Sequence, residues 1–182
     1  RVSADVTVDD VLAGGVVADP LRAADLAAEA DGGCAVVLAA GDRARELCER
    51  PAWIRGIDHR VDAHGLGVRD LTRAPSAGLA AGKAAERAGF AANDVDVAEL
   101  HAASTAQAHV LATEMGLGGT GGSVRIDPSG GSLAADTLMA AGLVRIAEAA
   151  RRVSGGEAHR ALAHASSGPC LQQNLVCLLE GE

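Results

Sequence analysis

Seven consecutive apolar residues, Cys34 to Ala40, stand out of a mixed N-terminal stretch, and a run of that length predicts a strand buried on both faces. Before it, residues 18–33 place Pro20 at the head of a helical pattern that an Asp31-Gly32-Gly33 turn brings to a stop. Residues 41–50 are polar with helical spacing. Residues 52–62 alternate well enough for a second strand, and Pro51 sits just ahead of it, where a missing N–H does little harm. A helix is predicted over 75–90, with Pro75 near its start and Gly89 near its end. A short strand follows at 94–100, then a helix over 104–116 with Ser104 as N-cap. A Gly-rich loop, a strand at 123–127, a long helix over 132–153 and strands at 161–166 and 174–180 complete the pattern. Strand and helix alternate almost throughout, which predicts an α/β layered sheet in a single domain spanning 1–182.

The chain's 182 residues suffice for one ordinary domain with a real core. With one Trp, one Phe and no Tyr, that core must be assembled from Ala, Val, Leu and Ile. A net charge of −8 argues against a nucleic-acid groove, and the shortage of aromatics removes the stacking platforms of single-strand binders. No run approaches the roughly 18 apolar residues of a membrane span, and the N-terminus lacks the basic-then-apolar order of a signal peptide. A soluble, cytoplasmic protein is expected. The chain opens with Arg1 rather than Met, which reads as a fragment or a processed product.

Cys34, Cys48, Cys170 and Cys177 show no C-x-x-C spacing, which favours reduced thiols over a disulfide frame. No metal site is expected, because His101 and His109 lie eight apart without a second ligand pair. Gly116, Gly118 and Gly121 fall in G-x-G-x-x-G register, but after a helix and before a strand, the reverse of a dinucleotide-binding turn. Residues 78–83 fall one short of a phosphate loop, and Lys83 reads as a surface lysine on a helix. The residues alone mark no cofactor-binding position.

Four segments in order carry more information: 30–48, with Asp31-Gly32-Gly33 before an apolar run; 94–105; 126–142, with Asp127-Pro128-Ser129-Gly130-Gly131 before a long helix; and 160–181. Together they resemble the second half of a thiolase, most closely the sterol-carrier-protein-type and lipid-transfer-protein-like branch. The resemblance covers nearly the whole chain. It implies a thiolase-like layered α-β-α fold, one half of an α-β-α-β-α stack, and chemistry that makes or breaks a carbon–carbon bond next to a CoA thioester. The coenzyme A thioester would be a substrate, with no cofactor bound covalently. In that family a cysteine of the first half carries the acyl group, a Gly-His-Pro histidine activates it, and a second cysteine moves the proton.

Carried over by position, His101 matches the histidine of the branch's His-Asp-Cys-Phe motif, while Ala102, Ala103 and Ser104 replace the other three residues. Thr137 falls where the Gly-His-Pro histidine belongs, and a threonine cannot act as a base near neutral pH. His101 is thus either an oxyanion donor through a ring N–H or a structural histidine bonded to backbone. His164, similar to a histidine of the same branch, is a second catalytic candidate or a satisfied core histidine. Cys170, in a small-residue loop after Pro169, is a replacement thiol or a small buried hydrophobe. Asp136 is a substitute acid or a carboxylate stabilised at a helix start. Two functions are open. One is half of an acyl-CoA acyltransferase or related aldolase, completed by a nucleophilic first half or a partner; the other is a catalytically silent thiolase-like subunit that stabilises or positions an active partner. A small OB-fold protein of the sort that accompanies this branch is a further expected partner. Either reading predicts a dimer or larger assembly, because a half-thiolase leaves an apolar helix layer uncovered.

Overall fold

A computed structural model describes residues 6–118 and 124–182. Its centre is a five-stranded mixed sheet of β3 (Trp53–Val61), β4 (Val97–Glu99), β5 (Arg125–Ile126), β6 (Arg160–Ser167) and β7 (Gln173–Glu180), in the spatial order β3-β7-β6-β4-β5. β7 runs antiparallel to both β3 and β6, whereas β4 is parallel to β6 and β5. Period-two alternation then assigns the faces. Leu162, Val176 and Leu178 point into a cluster with α3 (Pro75–Ala88) and α4 (Thr105–Glu114). Ala161, Ala163, Cys177 and Leu179 point the other way, against α6 (Ala141–Ser154). The expected layered α-β-α arrangement is therefore present.

Small side chains set how closely the layers approach. The buried stripe of α3 is Ala77, Ala80, Ala81, Ala84 and Ala88, at helical spacing, and a Cβ on Gly56 of β3 would lie 2.0 Å from the Ala84 carbonyl oxygen. α6 buries Ala141, Arg145, Ala149, Arg152 and Val153. The two arginines on this face are matched by Glu99, fully buried on β4: Arg145 Nη1 lies 3.1 Å from its carboxylate, Arg152 Nε 3.5 Å, and Ser129 Oγ donates to it at 2.5 Å. A buried charge of this kind is tolerable only with its partners in place.

Strands at 53–61, 97–99, 125–126, 160–167 and 173–180 fall within or beside the predicted ones, and helices α3 and α4 match their expected caps. Gly89 closes α3 at φ +80°, and Ser104 Oγ accepts from Gln107 N at 3.2 Å. Lys83 lies inside α3 and pairs with Glu86. Three expectations fail. Residues 18–33 are not a helix: β1 (Val16–Ala18) and β2 (Leu21–Arg22) form a small ribbon, and Ala27 N, Ala28 N and Ala30 N then bond Ala103 O, Leu133 O and Asp136 O. Cys34 to Ala40 are not a buried strand; Val37 and Leu38 are 90% and 77% exposed, and the run has no place in either sheet. The long helix is broken into α5 (Gly131–Ala134), a turn at Leu138–Ala140 and α6. Short helices α1 (Val8–Ala13) and α2 (Gly41–Leu47) complete the elements. The glycine-rich run lies partly outside the described residues; Gly116, within them, takes φ +72°. None of the described helices is long and apolar enough to cross a membrane.

Candidate active site

At the C-terminal end of β4 the chain turns through residues 101–104 into α4. Ala103 N bonds Gln107 Oε1 at 3.0 Å, and Leu100 N bonds Asp127 Oδ1 at 2.6 Å, so both sides of His101 are fixed. His101 Nδ1 accepts from Ser166 N at 3.2 Å, and its own carbonyl accepts from Ser166 Oγ at 3.0 Å. With Nδ1 accepting, the neutral ring carries its proton on Nε2. That nitrogen faces Asp136 Oδ1 at 3.9 Å. Burial holds the His101 ring below its ordinary pKa; the Asp136 charge opposes this, and Arg145 adds to it.

Asp136 arrives there because the predicted helix is broken. Its N–H and carbonyl pair with Ala28 O and Ala30 N, both at 2.8 Å, and its side chain accepts from Leu138 N at 2.9 Å. Leu138 takes φ +49° to close that turn. Thr137, at the position where the resemblance would put a histidine, leaves its buried Oγ1 without a partner among the described residues. A Cβ on Gly32 would lie 2.5 Å from Thr137 Cγ2, so the Asp31-Gly32-Gly33 turn packs directly on this residue.

His164, two residues before Ser166 on the same face of β6, is fully buried. Its Nε2 lies 2.9 Å from Asn174 Oδ1 on β7, and its Nδ1 has no partner among the described residues. Burial pushes its pKa down to about 4, with the Asn174 hydrogen bond opposing and His101 assisting. Cys170 is exposed on the β6–β7 turn at φ +52°. The Arg69 guanidinium donates to its carbonyl at 2.6 Å and to that of Pro169 at 3.2 Å. No hydrogen bond among the described residues joins its thiol to either histidine. The structure thus brings His101, His164 and Asp136 to one end of the sheet, the end at which the β6–β7 turn with Cys170 leaves β6. Ser166 and Asn174 were missed in the sequence; their signal was a polar residue inside an apolar strand run, on the face that carries His164.

A separate apolar cleft of about 630 Å³ lies between residues 36–39, α2, the start of β3 and α6. Leu179 lines it and pairs in register with Ala161, whereas Ser166 beside His101 pairs with Asn174. The cleft and the histidines therefore sit at opposite ends of β6, about 16 Å apart along the strand.

No protein-family model matches the chain. It is distantly similar to the acetyl-CoA acetyltransferase of Methanothermobacter thermautotrophicus, 29% identical over an alignment of 179 residues, with 90% of this chain and 47% of the relative covered. It is also similar to the acetyl-CoA acetyltransferase of Methanocaldococcus jannaschii, 30% identical over 114 residues, 61% of this chain and 29% of that one. Among solved structures, the Ltp2-ChsH2(DUF35) aldolase superposes with a TM-score of 0.80 at 22% identity, covering 96% of this chain and 51% of that one. The fold is thiolase-like, and the chain spans about half the length of the first relative and of this structural neighbour.

Proposed function

We propose that the chain is one half of a thiolase-like enzyme of acyl-CoA metabolism that breaks or forms a carbon–carbon bond beside the thioester by aldol-type chemistry. A first half, or a partner chain, supplies the rest of the site. The observation that carries this reading is the neutral His101, its Nε2–H turned to the Asp136 carboxylate at 3.9 Å. A donor fixed by backbone and a buried carboxylate beside it are the two groups that retro-aldol cleavage of a β-hydroxyacyl thioester needs. Asp136 takes the hydroxyl proton, the Cα–Cβ bond breaks and a carbonyl compound leaves. The electron pair passes into the thioester enolate, whose oxygen receives the His101 N–H, and Cα recovers the proton from Asp136. No cysteine takes part, so Cys170 is not required. The structural neighbour, an aldolase named for Ltp2 and ChsH2(DUF35), supports the reaction class and a small DUF35-type partner, consistent with the OB-fold companion expected from the sequence.

The silent-subunit reading has one observation of its own, Thr137 at the position of the expected histidine. The test is cleavage of a short β-hydroxyacyl-CoA by the chain co-purified with its natural partner or longer polypeptide, read by chromatography of the CoA products. The expected result is cleavage that falls about a hundredfold in His101→Ala and in Asp136→Asn, with circular dichroism unchanged. An assembly that cleaves no such thioester, or whose cleavage is untouched by both substitutions, leaves the positioning role instead.

A further inference from the structure

His164 is held from behind by a chain of hydrogen bonds that the aldol chemistry does not itself use. Asn174 is fully buried, and its amide nitrogen donates to Ser76 Oγ at 2.6 Å and to Leu171 O at 2.7 Å. Ser76, at the start of α3, donates in turn to Asp62 Oδ2 at 2.7 Å. Both acceptors lie on one side of the amide, so the carboxamide cannot rotate by half a turn without placing its oxygen against the Leu171 carbonyl and losing both bonds. The oxygen is therefore turned to His164 Nε2, and a carboxamide oxygen only accepts.

We propose that Asn174, with Ser76 and Asp62 behind it, is a positioning residue that locks His164 as the Nε2–H tautomer and so keeps Nδ1 as a fixed acceptor for a hydroxyl-type donor at the His101 end of the sheet. The inference rests on the aldol reading for the identity of that donor: Asp136 takes the proton of the β-hydroxyl, so the hydrogen offered to Nδ1 is that of a water. It does not rest on it for the tautomer. Supporting it, Nδ1 is buried and without a protein partner among the described residues, an arrangement that costs free energy unless a ligand or water supplies a hydrogen. The ring also stays neutral near physiological pH, because burial disfavours the imidazolium.

Long-range proton–nitrogen correlation spectra of the histidine-labelled full chain read the tautomer directly, with His164→Gln assigning the signal. The expected result at neutral pH is a single Nε2–H form for His164, lost to a mixture of tautomers in Asn174→Ala. An Nδ1–H ring or an imidazolium in the unmodified protein overturns the lock. A folded Asn174→Ala variant that keeps the single Nε2–H form does the same. Should that variant fail to fold, Ser76→Ala loosens the amide more gently; the expected result is then a second tautomer in exchange with the first, and an unchanged signal removes Ser76 from the device. Addition of β-hydroxybutyryl-CoA, with acetyl-CoA as control, tests the donor: an Nδ1 signal that responds alike to both ligands is expected, and a shift with the first alone gives the substrate hydroxyl to His164 and overturns the water. Because the tautomer is read without turnover, failure of the aldol assay and failure of the lock are distinct results.

Discussion

His164 and Asp127 exchange protons with solvent in opposite senses on folding. The His164 pKa falls from 6.5 to about 4, so its contribution to stability is present above pH 6.5 and is lost as pH falls toward 4. Burial pushes Asp127 the other way, from 3.8 up to about 6; the Leu100 N–H opposes the shift and the Glu99 charge adds to it. Its contribution is present below pH 3.8 and is lost as pH rises toward 6. Each shift corresponds to about 3 kcal/mol, so between pH 4 and 6 they largely offset each other. Carboxylates such as Asp96, held low by the backbone N–H of Arg160, act in the more acid range. The expected outcome is a urea midpoint that changes little from pH 6 to about 4.5 in the unmodified chain. In Asp127→Asn the stability should fall by about 2 kcal/mol over the same interval, as the His164 loss stands alone. An equal slope in both proteins would remove Asp127 from the balance.

At the scale of elements, close packing by small residues accounts for the sheet and its helices. Gly56→Ala sets a methyl group against the Ala84 carbonyl at a distance no relaxation of α3 alone accommodates, and about 3 kcal/mol of stability should be lost in chemical unfolding. Those same elements were the legible ones. Alternation along 53–61, the Pro75 and Gly89 boundaries of α3 and the Ser104 cap are local signals, and local signals decide an element when its neighbours merely pack on it. Two of the segments that escaped, 26–30 and 132–136, are governed by pairing across long stretches of chain, and the apolar run 34–40 pairs with no strand among the described residues. Alanine-rich 132–140 has every helical preference, yet the bonds of Asp136 to Ala28 and Ala30 outweigh it. The site shares that history. His101 was legible through its motif, and Asp136 as a substitute acid or a helix-start carboxylate, but its place beside the ring was not, because nothing local announces the break that brings it there. Asn174 and Ser166 were marked only as polar residues in apolar strand runs; their partners Ser76 and His101 are remote in sequence, so the bonds themselves were not legible.

The whole molecule carries a net charge of −8, and its outer strand β3 pairs on one side only among the described residues. Beside the start of that strand lie Val36, Val37 and Leu38, apolar and exposed on the rim of the cleft. Apolar strand-forming residues next to an open edge are also the material from which chains recruit one another into disordered deposits. The seven residues from Cys34 to Ala40 therefore bear on the life of the chain in the cell as well as on its fold. Light scattering during prolonged incubation should show Leu38→Lys staying clear at concentrations where the parent clouds, with the same melting temperature. Synthesis without a companion would be slow to yield usable protein and heavily dependent on chaperones, so the abundance of the chain would be set by the supply of whatever shields that edge.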